Sequence, residues 1–126
     1  MDQQLIDKYN IRFENKIIDF EAKGRFIHKV MDMNNTTLGE FLTAWNDSQE
    51  ISELLIPDII DVLNGTESLM ENGSETISID ITPDNVIFYI KNVGTNYPKI
   101  PTIDFYEIVL AWRDFLLQPP LNRTRI

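Results

Sequence analysis

The sequence predicts an α+β domain, an antiparallel sheet built from hairpins with helices packed on one side of it. Three patterns carry that expectation. Ile77, Ile79 and Ile81 alternate with Thr76, Ser78 and Asp80, the pattern of a strand with one wet face; the alternation resumes at Val86, Phe88 and Ile90 after the turn residues Thr82-Pro83-Asp84-Asn85. Leu38, Phe41, Leu42 and Trp45 recur at the spacing of one helix face. Phe105, Ile108, Val109, Trp112 and Leu116 form a second such stripe. With 126 residues, 43% of them hydrophobic, the chain suffices for a single domain over residues 1–126 whose core needs neither disulfide nor metal.

Taken in order, residues 2–9 read as a short helix or a frayed tail. Ile18, Phe20 and Ala22, then Phe26, His28 and Val30, alternate on either side of Lys23-Gly24. That predicts a hairpin, with a helix through residues 16–31 as the competing reading. Thr37 and Glu40 have the spacing of a capping box, in which each side chain satisfies a free N–H of the first turn. Asp47 and Glu50 repeat the signal, and Ile51, Leu54 and Leu55 continue as an apolar face. Pro57 lacks an N–H and must kink that helix or open another, which runs through Ile59, Ile60 and Leu63 to a stop at Asn64-Gly65. Residues 66–74 read as a polar loop and residues 92–101 as another. A final helix spans roughly residues 102–118, with Asp104 and Glu107 as its capping box and Pro119-Pro120 as its end. The basic tail, residues 121–126, reads as a loose end.

Charge is unevenly spread. The net charge is −9. Residues 1–30 are nearly neutral, with five acids against six bases, while the stretch from Val30 to Ile90 holds twelve acids and no Lys or Arg. From Lys91 onward five bases face three acids. A block of one sign repels phosphate backbones and attracts basic surfaces, which argues against direct nucleic-acid binding through it. Solubility alone is the competing explanation.

Composition removes many chemistries. There is no cysteine, which excludes a disulfide framework, thiolate zinc sites and cysteine nucleophiles and suits a reducing cytosol. The N-terminal residues lack the basic start and apolar run of a secretion signal, and an apolar run such as Ile108 to Trp112 falls far short of the ~20 residues of a membrane span. A cytoplasmic protein that touches no membrane is the expectation. His28 is the lone histidine and the glycines are scattered singly, so neither a His-dependent triad, a His-based metal site nor a phosphate-cradling loop is expected. Asp58 and Asp61, or Glu50 and Glu53, share a helix face and suit a hard cation; a solvated helix face is the plainer reading. The chain is expected to be a binding protein without cofactor, not an enzyme.

The candidate partner-binding residues are the acids Glu50, Glu53, Asp58, Asp61, Glu67 and Glu71, joined by Tyr97, an aromatic with no place in the core pattern. The hairpin Ile77 to Ile81 and Val86 to Ile90, followed by the Trp-bearing segment Ile103 to Leu116, in a small acidic cysteine-free chain, resembles bacterial toxin-immunity proteins over residues 36–118. That resemblance implies a tight complex blocking a cognate toxin domain, often a basic nuclease, and carries no specific residue across. A protein-interaction or regulatory adaptor, itself a homodimer in one version, is the alternative.

Overall fold

The structure, a computed structural model, describes residues 1–90 and 98–126. Helix α1 (Gln3–Tyr9) starts where the Asp2 carboxylate accepts the Gln4 N–H at 3.0 Å and stops at Asn10, in the left-handed conformation. Strands β1 (Arg12–Asp19) and β2 (Arg25–Asp32) pair antiparallel with Lys16 opposite His28, so the region of residues 16–31 is a hairpin. Its turn is wider than Lys23-Gly24. Phe20 N–H donates to Gly24 C=O at 2.9 Å around a 3-10 turn at Glu21–Lys23, and Gly24 has φ 104°, a conformation that L side chains rarely adopt.

Helix α2 (Thr36–Ala44) is capped by Asn35, whose side chain accepts the Leu38 N–H at 3.1 Å. The expected cap at Thr37 lies inside the first turn and is buried. Gly39 brings α2 close to β2: a Cβ there would lie 3.3 Å from the Met31 carbonyl oxygen. The single turn α3 (Ser48–Glu50) is capped by Asp47 as expected, through the N–H groups of Gln49 and Glu50 at 2.8 and 3.2 Å. A π-type turn, Ile51–Leu55, follows, in which Ile56 N–H reaches Ile51 C=O. Helix α4 (Ile56–Leu63) then continues with Pro57 in its first turn. The proline, which has no N–H to give to the preceding turn, therefore opens a helix segment directly after the wide turn.

A four-stranded antiparallel sheet comes next, β3 (Met70–Gly73), β4 (Ile77–Ile81), β5 (Asn85–Ile90) and β6 (Lys99–Pro101), ordered as numbered. The central hairpin matches the expectation, whereas β3 and β6 occupy stretches read as loops. Three or four residues are too few for alternation to register, and pairing with the strong central hairpin recruits them. Helix α5 (Thr102–Leu116) closes the fold. Asp104 does not cap it. That carboxylate accepts the Tyr9 hydroxyl at 2.6 Å and pairs with Lys8 at 3.0 Å.

Helices cover one face of the four-stranded sheet, where Ile77, Ile79, Ile81, Val86, Phe88 and Ile100 are buried with residues of α2, α4 and α5. At the centre Phe41, Phe88 and Phe105 contact one another with ring centroids 5.9 to 6.2 Å apart. Such pairs contribute about 1 kcal/mol each beyond their burial. Trp112, fully buried, donates its indole N–H to Trp45 C=O at 2.8 Å. The domain is thus α+β, with a separate two-stranded sheet beside the main one. No helix among the described residues is long and apolar enough to cross a membrane.

The two-stranded sheet turns a different face inward from the one its apolar alternation indicates. Phe13, Lys29 and Met31 point to the body of the protein, Phe13 with its ring 5.8 Å from Trp112 and 5.3 Å from Phe115. Ile18, Phe26, His28 and Val30 lie on the other face, half-buried. Nor is the C-terminal tail loose. Ile27 and Arg123 exchange backbone hydrogen bonds with Thr124 and Ile27 at 2.8 Å, Ile126 N–H meets Arg25 C=O at 2.8 Å, and Asn122 accepts the Lys29 N–H at 2.9 Å. The tail runs along the outer edge of β2, with a single bridge between Phe26 and Arg125. The guanidinium of Arg125 lies against Gly24, where a Cβ would crowd it.

Candidate functional site: an acidic helix and strand face

The acids expected to meet a partner sit on α3, the wide turn, α4 and β3, and side-chain contacts tie these elements together. Asn72 of β3 donates from its side-chain amide to Leu54 C=O at 3.0 Å and to the Asp58 carboxylate at 2.9 Å. Glu67 N–H donates to Asp61 C=O at 3.0 Å, which folds the connection between α4 and β3 onto the helix. Asp58, Asp61 and Glu67 therefore share one edge of the molecule, whereas Glu71, next to Asn72 and opposite Asp80, projects from the other face of β3. Glu50 and Glu53 lie further back along the helical stretch, Glu53 holding Gln49 at 3.1 Å. Glu50 also lines an open recess of about 450 Å³ with Trp45, Ser74 and Glu75.

The acids differ in availability. Glu50, Glu53, Glu67 and Glu71 are exposed, whereas Asp58 and Asp61 are half-buried and Asp58 is engaged by Asn72. Among the described residues none of these six forms an ion pair; the ion pairs there are Lys8–Asp104, Arg12–Asp32, Lys16–Glu14 and Arg113–Asp114. Tyr97 lies outside the described residues. The described residues contain no cluster of three or more His, Asp or Glu side chains suited to a metal.

Three apolar side chains lie on the same elements and belong to no core: Leu54, Ile60 and Leu69 are 58%, 40% and 45% exposed. The sequence pattern assigns Leu54 and Ile60 to the buried stripe. The i→i+5 hydrogen bond from Ile56 to Ile51 inserts an extra residue into the turn and shifts the helix phase, so Ile51 and Leu55 point in and Leu54 points out. The signal available in advance is Pro57, which forbids a regular turn there.

A second polar region is built from residues that no charge count singles out. Lys29 is fully buried without a counter-charge among the described residues; its ammonium bonds the Asn15 side chain at 2.8 Å and lies 3.9 Å from the centre of the Phe115 ring. Burial pushes its pKa below that of an ordinary lysine. The Tyr9 hydroxyl is shifted the other way: burial first, then its bond to Asp104, holds it protonated well above the usual phenol range. Comparison with protein-family models, with curated proteins and with solved structures finds no match, so the functional reading rests on the chain's own residues.

Proposed function

We propose that this protein is a non-catalytic inhibitor that binds a basic protein domain, a bacterial toxin such as a nuclease, through the face formed by α3, the wide turn, α4 and β3. One observation carries the reading: Glu50, Glu53 and Glu67 stand exposed without ion-pair partners among the described residues, on the same elements as the exposed Leu54 and Leu69. A carboxylate already paired within its own chain gains little from a second cation. An unpaired one keeps its full attraction for an arginine or lysine across an interface and speeds encounter. Exposed leucines amid such charges supply the desolvated centre that charge alone lacks. A nuclease needs a positive cleft for phosphate, and a carboxylate-bearing surface is its complement.

The experiment is capture of the basic partner on the tagged protein, followed by kinetics with Glu50→Lys, Glu53→Lys and Glu67→Lys combined. The association rate is expected to fall at least about tenfold at low salt and to lose its salt dependence, while Asp58→Asn leaves the rate nearly unchanged. An association rate and salt slope unaltered by the combined charge reversal would refute the assignment of this face.

A further inference from the structure

We propose that the free edge of β1 is the contact of a twofold-symmetric dimer, in which β1 of one copy pairs antiparallel with β1 of a second copy and the two hairpins become one continuous sheet. The direction of the backbone groups follows from the other side of the hairpin. Ile27, Lys29 and Met31 direct their N–H groups away from β1, to Thr124, to the Asn122 side chain and to the Thr43 hydroxyl. The N–H and C=O groups of His28 and Val30 therefore face β1, since successive residues of a strand alternate. With Lys16 opposite His28, Lys16 and Glu14 face inward to the ladder. Phe13, Asn15 and Ile17 face out. No hydrogen bond among the described residues occupies those outward groups, and Asn15, Lys16 and Ile17 are all exposed.

Only residues with outward groups can hydrogen-bond across such an edge, so the register is confined to pairings of Phe13, Asn15 and Ile17 with one another. Asn15 opposite Asn15 of the second copy uses all three. That register also sets Glu14 opposite Lys16 of the second copy and Lys16 opposite its Glu14, on the closely spaced pairs of the ladder, so the loose 3.8 Å pair that Glu14 and Lys16 form within one chain becomes part of a square of alternating charge. Sliding by one step in either direction sets Glu14 against Glu14 or Lys16 against Lys16. Charge and hydrogen bonding thus select the same register. A lysine in mid-edge ordinarily guards a strand from pairing; here the edge carries its complement two residues away.

The apolar side chains agree. Ile17 is 52% exposed and lies on the same strand face as Phe13. In this register Ile17 of one copy sits opposite Phe13 of the other, beside an open groove of about 470 Å³ lined by Ile6, Ile11, Phe13, Ala111 and Phe115. The contact joins the nearly neutral N-terminal parts of two strongly acidic chains.

Sedimentation equilibrium of the full chain alone, over a concentration series, tests the dimer without reference to any inhibited protein. A monomer–dimer equilibrium is expected. Ile17→Pro, which deletes an N–H pointing away from β2, is expected to give monomer with an unchanged circular dichroism spectrum. Glu14→Lys is expected to weaken association about tenfold, and adding Lys16→Glu to restore it. A wild-type chain that stays monomeric at every concentration, a dimer that survives Ile17→Pro, or a charge swap without recovery would overturn the proposal.

Discussion

In the hairpin of β4 and β5 the inward residues are Ile77, Ile79, Ile81, Val86 and Phe88, and the outward ones include Ser78 and Asp80. In the hairpin of β1 and β2 both faces carry apolar side chains, and the inward face carries Lys29. The first hairpin chooses its face by its own composition. The second has its face chosen for it, because Phe13 stacks on Trp112 and Phe115 of α5 and Met31 is held by Thr43 of α2. A strand's period shows that it is a strand; which side is buried is a property of the neighbours whenever both sides are comparably apolar.

The comparison breaks down if the two hairpins respond alike to mutation. Phe88→Ala removes a fully buried ring from the aromatic centre and is expected to cost about 4 kcal/mol in urea unfolding. Asn122→Ala leaves the N–H of Lys29 without its acceptor and should cost about 2 kcal/mol by the same measurement. Lys29→Met keeps the volume and removes a buried charge, with an expected gain of about 1 kcal/mol. Phe20→Ala, at a ring 53% exposed beside Phe26, should change stability by about 0.5 kcal/mol or less.

Lys29 also gives the comparison a pH signature. Its folded pKa is lowered, so the unfolded chain holds the proton more tightly, and stability rises with pH from the depressed value up to about 10.5. Tyr9 works in the opposite sense, because its raised folded pKa makes its contribution fade as pH climbs through the ordinary phenol value of about 10. Thermal melts of wild type and Lys29→Met between neutral pH and pH 10 should therefore converge as the pH rises, the wild type gaining relative to the variant. Parallel curves would show that Lys29 is not desolvated.

Much of the architecture was legible in advance because α2, α5 and the hairpin of β4 and β5 each bury one periodic face in a common core. The strands β3 and β6 were not, being too short to show a period and defined by their pairing with β4 and β5. Asn35 rather than Thr37 caps α2, a choice among neighbouring cap residues that local sequence leaves open. The tail was misread because its partner, the outer edge of β2, lies more than ninety residues away in sequence. Within the candidate site the acids were visible as a charge block. The absence of ion pairs to them among the described residues was not, since it depends on where Lys8, Arg12, Lys16 and Arg113 find partners. Leu54 was hidden by the phase shift of the π-type turn, whereas Leu69 already stood outside the core pattern in the sequence.

The bond from Asn72 to Leu54 C=O and Asp58 has a consequence for slow motions. Strand β3 is an outer strand held by one neighbour, and the turn it grips is the least regular part of its helical stretch. Neither can open while the Asn72 amide remains seated. The protons of β3 and of residues 51–58 should then exchange with solvent in a single cooperative event, a foldon set apart from the slower centre of the sheet. Asn72→Ala would divide that event into two, each with its own rate.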